Sequence, residues 1–165
     1  MFSGRFGNTT GRPYLEALVF LPRLNLTGGV SFLVDTGADQ TVLMPTDSMR
    51  MGINYGSLLP AHVLSGIGGT CKSFKESALI MFSDESNAQL VVYAIEILIA
   101  KRKAAHLRCA SLLGRNVLHR LRMTYDFRQK KIVFTASSAD ARVSVKKANT
   151  KALKGKIKQL KHLPQ

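Results

Sequence analysis

The sequence predicts an all-β domain, closed or sandwiched, and three observations carry that prediction. Short β-prone runs recur along the chain with turn residues between them. Two of these runs, residues 78–82 and 90–99, are rich in Val, Ile and Leu, which suit a pleated and buried surface. Before the C-terminal thirty residues, helical spacing is confined to two short stretches, 46–51 and 115–121. With 165 residues, 45% of them apolar, the chain is long enough for one self-sufficient core.

Taken in order, residues 15–20 read as a strand that runs up to Pro22. Residues 25–29 read as a turn, with Thr27-Gly28-Gly29 supplying permissive backbone. Residues 30–34 form a β-prone run that stops at Asp35-Thr36-Gly37. Residues 41–44 are a further apolar run, ended by Pro45. Residues 46–51 make one helical turn, capped by Thr46 or Asp47. Residues 61–64 and 70–74 flank a glycine-rich tip, Ser65-Gly66-Ile67-Gly68-Gly69. The strands at 78–82 and 90–99 follow, and then Lys101-Arg102-Lys103, a solvated loop. A short run at 111–113 ends at Gly114, and Val117, Leu118 and Leu121 give the helix at 115–121 its apolar side. Residues 123–127 and 131–135 pair as a hairpin around 128–130.

Charge divides the chain. The net charge is +14. Residues 1–135 hold 16 of the 24 Lys and Arg and 9 of the 10 Asp and Glu, while 136–165 hold 8 and 1, so each part carries +7. The last aromatic is Phe134. The expected organisation is a core domain over 1–135 and a Lys-rich tail over 136–165. The tail reads as a solvated extension or a short amphipathic helix through Leu153, Ile157 and Leu160. Its charge also suits an arm for nucleic acid or an acidic partner. The longest apolar run, 90–100, is interrupted by Glu96 and too short to span a bilayer. Residues 1–14 lack the apolar stretch of a signal peptide. Two cysteines, Cys71 and Cys109, do not make a disulfide scaffold and suit a reducing, cytoplasmic setting. No Cys/His spacing resembles a metal site, and no cofactor is implied. The glycine cluster is no dinucleotide or phosphate loop, because Cys71 stands where a third glycine belongs and no Gly-Lys-Ser/Thr follows.

The chemistry centres on Asp35-Thr36-Gly37-Ala38, directly after the apolar run Val30-Ser31-Phe32-Leu33-Val34. A strand that ends on an aspartate sets a carboxylate at the edge of a core, and Gly37 lets another backbone approach. The glycine-rich hairpin lies some thirty residues further on, and Leu112-Leu113-Gly114-Arg115-Asn116-Val117-Leu118 much later. This order and local pattern resemble the retropepsin-like aspartic proteases over residues 12–134. Arg12-Pro13 adds a weaker match.

The resemblance implies a closed retropepsin-like (acid protease) β-barrel with a flap hairpin and one short C-terminal helix, homodimeric. It implies an aspartic endopeptidase with Asp35, Thr36 and Gly37 at the catalytic centre. Ala38, Asp39, Gly66, Ile67, Gly68 and Leu112 would meet substrate. Gly114 and Arg115 would support the centre, with Asp39 and Arg115 in a buried ion pair and Thr36 bonded to its mate across the dimer. Metal-free peptide hydrolysis needs a nucleophilic water and a polarised carbonyl, and two carboxylates sharing one proton supply both. One Asp-Thr-Gly in this length therefore predicts two copies, one Asp35 from each, at a two-fold axis. Ala38, standing where pepsin-like enzymes carry Ser or Thr, removes a hydroxyl near the carboxylate and predicts a rate optimum in mild acid. The partners implied are a second copy and an extended polypeptide. The other reading is a catalytically weak binding or dimerisation module of the same fold with a nucleic-acid-binding tail. Two departures from the compact viral enzymes stand out: a longer and more basic segment over 84–110, and thirty residues after Thr135.

Overall fold

The apolar alternation along residues 13–34 folds as a β-hairpin. In the computed structural model, which describes residues 1–66, 69–84 and 88–144, β1 is Phe2–Ser3 and β2 is Arg5–Phe6. The hairpin strands are β3 (Pro13–Leu21) and β4 (Leu26–Val34). Then come β5 (Val42–Leu43), helix α1 (Pro45–Arg50) and the 3-10 turn Tyr55–Ser57. Strands β6 (Pro60–Gly66), β7 (Gly69–Ser83) and β8 (Gln89–Ala100) follow. After the 3-10 turn Ala104–His106 the chain forms β9 (Leu112–Leu113), α2 (Arg115–Leu118), β10 (Leu121–Asp126), β11 (Lys131–Ala136) and β12 (Ala141–Ser144).

Six strands close on themselves. β3 pairs β4, β4 runs parallel to β9, β9 pairs β5, β5 runs parallel to β8, β8 pairs β7, and β7 returns to β3. The fold is thus all-β around a closed barrel, and closure removes the free edges an open sheet would leave. The barrel interior is filled by Leu15, Val19, Val30, Phe32, Ile80, Phe82, Tyr93, Ile97 and Leu113, all at most 1% exposed. A separate sheet, β1-β11-β10, packs beside it through Phe2, which stacks on Phe82 and Phe134.

The expected turn at 25–29 falls earlier. The chain reverses over residues 22–25, where Asn25 takes the left-handed conformation (φ 55°), and Thr27, Gly28 and Gly29 lie inside β4. Gly28 serves packing: a Cβ there would stand 2.6 Å from Met51 Cγ. The expected cap of α1 is also different. The helix opens on Pro45, which needs no hydrogen-bond acceptor at that position. Thr46 Oγ1 donates instead to the Leu107 carbonyl (2.6 Å), and Asp47 accepts from Ser111 Oγ (2.6 Å) and pairs with Arg50.

The expected boundary at Thr135 does not end the packed chain, which continues to Ser144. β12 pairs antiparallel with β8, and Val143 is buried against Phe20, Leu79, Met81 and Val92. β12 thus takes the edge of β8 that β5 leaves open, and β8 is buried on both faces. Asp140 accepts two hydrogen bonds from the Arg120 guanidinium (2.8 and 3.0 Å) and one from the Ala94 amide (2.8 Å). These bonds hold the Arg120 guanidinium still more firmly in its charged form. Arg120 lies 4.7 Å over the Tyr93 ring. Burial pushes the Tyr93 phenol up to about 12. The remainder of the expected tail, 145–165, lies outside the described residues. No helix among the described residues is long and apolar enough to cross a membrane.

Candidate active site

Asp35 is the first residue beyond β4, and two parallel strand contacts fix where it sits. Leu33 N–H donates to the Ser111 carbonyl (2.8 Å) and Asp35 N–H to the Leu113 carbonyl (3.1 Å). The backbone then turns, with Ala38 N–H reaching back to the Asp35 carbonyl (3.3 Å). Asp35 Oδ1 accepts the Gly37 N–H at 2.9 Å, and its side chain is half-buried. Thr36 and Gly37 are exposed. The carboxylate is therefore oriented by backbone and open on one side.

The loop is clamped to α2. Ala38 and Asp39 offer their carbonyls to the amides of Arg115 (2.8 Å) and Asn116 (3.2 Å). Asn116 Oδ1 accepts from both the amide (3.0 Å) and the hydroxyl (2.8 Å) of the fully buried Thr41, while its Nδ2 donates to the Glu96 carbonyl (3.1 Å). Thr41 Oγ1 in turn accepts the Gly114 amide at 3.2 Å. Gly114 must lack a side chain: a Cβ would stand 2.3 Å from the Gln40 carbonyl carbon. Asn116 and Thr41 were not singled out from the sequence. Asn116 lies inside the 112–118 segment and Thr41 opens the run at 41–44, but their roles depend on bonds between residues 75 apart.

The structure brings Asp35, Thr36, Gly37, Ala38 and Asp39 together with Leu112, Gly114 and Arg115. Asp39 and Arg115 do form the expected ion pair. It is not buried, because the two side chains are 78% and 43% exposed on the outer side of the loop. The tying of loop to helix falls to the buried Thr41–Asn116 bonds instead. Leu112 is half-buried against Val42, Leu98, Ala100, Met44 and Cys71. Gly66 ends β6, and its partner Gly69 opens β7, so a hairpin stands where the flap was expected. Ile67 and Gly68 lie outside the described residues, and no described contact joins Gly66 to the Asp35 loop. Next to the exposed Thr36 is an open depression of about 330 Å³, lined by Thr36, Arg115, Leu118, His119, Leu121 and Met123.

A closed six-stranded barrel that presents Asp-Thr-Gly at a strand end, clamped by a Leu-Leu-Gly-Arg-Asn segment, defines a domain of the acid-protease type. The family model described as retroviral aspartyl protease matches residues 12–125, and the chain belongs to that family. Among solved structures, a retropepsin-like aspartic protease from Rickettsia conorii is similar in fold. Its TM-score is 0.54 at 18% identity, with 86% of this chain and 92% of that one covered. The EIAV protease complexed with the inhibitor HBY-793 aligns with a TM-score of 0.46 at 22% identity, covering 68% and 90%. No curated protein matches the chain.

Proposed function

We propose that the chain is an aspartic endopeptidase, active as a homodimer in which two Asp35 carboxylates face each other across a two-fold axis. The observation that carries this reading is the Asp35 loop itself. Its carboxylate is held by the Gly37 amide, and its backbone is locked onto α2, yet one side is open. A second copy would bring the second carboxylate that the chemistry requires. The depression beside Thr36, with Leu118, Leu121 and Met123 along it, gives that copy an apolar surface to cover.

With one proton shared between the pair, the ionised carboxylate takes a proton from water and the protonated one donates to the scissile carbonyl oxygen. Substrate would lie as an extended strand between the floor and the β6–β7 hairpin, with Leu112 lining an apolar pocket. Closure of that hairpin through Gly66, Ile67 and Gly68 would exclude water. Free Cys71 and Cys109 suit a reducing, cytoplasmic setting.

The test compares wild type with Asp35→Asn on casein between about pH 4 and 7, with and without pepstatin. Cleavage by wild type alone, fastest in mild acid, is the expected result. Cleavage that survives Asp35→Asn sinks the reading. A folded dimer that cleaves nothing would point to a binding or dimerisation module.

A further inference from the structure

The connection between β8 and β9 runs over residues 101–111, and it carries charge that the site described above does not use. We propose that this loop, residues 101–111, is a cationic rim of the substrate cleft that selects polypeptides with acidic residues outside the apolar scissile segment. The inference rests on the aspartic endopeptidase reading.

Position is the first argument. The loop leaves β8 opposite Ser73 on β7 and ends at Leu112, whose neighbour Leu113 holds the Asp35 amide. It is pinned at three points on the way. Lys101 N–H donates to the Lys72 carbonyl (2.8 Å), His106 Nδ1 lies 3.5 Å from Cys71 Sγ, and the Leu107 carbonyl accepts Thr46 Oγ1 (2.6 Å). Cys71 and Lys72 stand close to the start of β7, in register with Leu64 and Val63. The loop therefore leans on the β7 arm of the glycine-rich hairpin, two to three residues from the Gly66–Gly69 pair, and returns to the strand that holds the Asp35 amide. Cys71 and Leu112 share one apolar cluster, so the rim and the expected pocket are contiguous.

Charge is the second argument. Lys101, Arg102, Lys103 and Arg108 are exposed, as is Lys72 beside them, and residues 101–111 contain no Asp or Glu. Six other described cations, Arg5, Arg23, Arg50, Lys75, Arg115 and Arg120, each meet a carboxylate, while Arg12, Arg122, Arg128, Lys130, Lys131 and Arg142 are in none of those pairs but lie elsewhere in the chain. None of those ion pairs involves the five rim cations. Like charges grouped this closely attract an anionic ligand and raise its local concentration. A polypeptide fits better than a nucleic acid, because the rim leads to an apolar pocket and a carboxylate. The segment 101–111 also contains no Phe, Tyr or Trp for bases to stack on.

The experiment uses the full chain and two unstructured peptides of about twelve residues with the same apolar centre. One carries Glu at the outer positions on both sides, and the other Gln. Wild type should show a KM about fivefold lower for the Glu peptide, with kcat little changed, a size suited to a few solvent-exposed ion pairs. The ratio should fall to about one in roughly 0.5 M salt, where screening is nearly complete. In the triple variant Arg102→Gln, Lys103→Gln, Arg108→Gln the ratio should also fall to about one. Equal KM values in wild type, or a preference that survives the triple substitution, would overturn the proposal. If neither peptide is cleaved, the protease reading fails separately. The rim is then tested on Asp35→Asn by fluorescence anisotropy of the same two peptides, where equal affinity overturns it. Tighter binding of a charge-matched single-stranded oligonucleotide than of the Glu peptide would also overturn it, in favour of a nucleic-acid partner.

Discussion

Gly114→Ala is the substitution by which the local geometry of the site is most directly tested. A methyl at this position would stand 2.3 Å from the Gln40 carbonyl carbon, 2.4 Å from its oxygen and 2.8 Å from the Thr41 nitrogen. All three are backbone atoms, so no side chain can swing aside. Non-bonded carbons settle near 3.5 Å, so loop and helix must separate by about 1 Å. Overpacking of this kind costs about 1–3 kcal/mol. The separation also lengthens the Gly114–Thr41 and Arg115–Ala38 hydrogen bonds, each worth about 1 kcal/mol. Reduced freedom of the unfolded chain returns about 0.5 kcal/mol. The expected net loss is about 2–4 kcal/mol in urea unfolding. Gly29→Ala is the control, because a Cβ there meets nothing within 4 Å, and it should stay within about 0.5 kcal/mol of wild type. A displacement of about 1 Å at the Asp35 loop should lower the peptide-cleavage rate of the remaining folded protein about 100-fold. Gly114→Ala unfolding within about 0.5 kcal/mol of wild type would falsify the clamp as described.

Three further outcomes follow from the same structure. Asn116→Ala removes the acceptor of the buried Thr41 amide and hydroxyl and should cost about 2–4 kcal/mol; a loss below about 1 kcal/mol by denaturant titration would show that water replaces it. Tyr93→Phe should be neutral or stabilising by up to about 1 kcal/mol, since the buried Tyr93 hydroxyl has no hydrogen-bond partner among the described residues. The fold favours the neutral phenol, so its contribution is intact below pH 10 and is lost as pH rises through about 12. Absorbance titration should find one of the four tyrosines ionising last, together with unfolding, and Tyr93→Phe should move unfolding to higher pH. A chain ending at residue 135 should be about 3–5 kcal/mol less stable than one ending at residue 144, because it uncovers Phe20, Leu79, Met81 and Val92 and strands Arg120. Equal melting of the two chains would contradict the role given to β12.

What the sequence made legible is what depends on short range. The runs at 13–21, 89–100 and 121–136 carry their own apolar pattern and turn residues, and they became strands close to where the pattern placed them. The Asp35 loop and the segment at 112–118 were legible as motifs because each is contiguous. Misreadings arose where a residue answers to something far along the chain. Thr27-Gly28-Gly29 resembles a turn by composition, but Gly28 is small because Met51 packs over it. Thr46 and Asp47 resemble caps, but their side chains serve Leu107 and Ser111. Residues 141–144 resemble the start of a charged tail, and only the open hydrogen-bonding edge of β8 at residues 89–92 makes a strand of them. Phe2 is one ring in a polar stretch, too little to mark β1 without Phe82 and Phe134 to stack on.

The same division bears on how the proposed enzyme would be controlled. The barrel closes within one chain, and its buried side chains come from that chain alone. The surface around Thr36 is different, since Met123 is 39% exposed beside it and the Asp39–Arg115 pair faces solvent. In the proposed dimer, a barrel closed within each chain and a site completed only by the second copy would make folding and site assembly two separate equilibria. Dilution should then lower activity per chain without any loss of β-structure, because what dissociates is the site and not the fold.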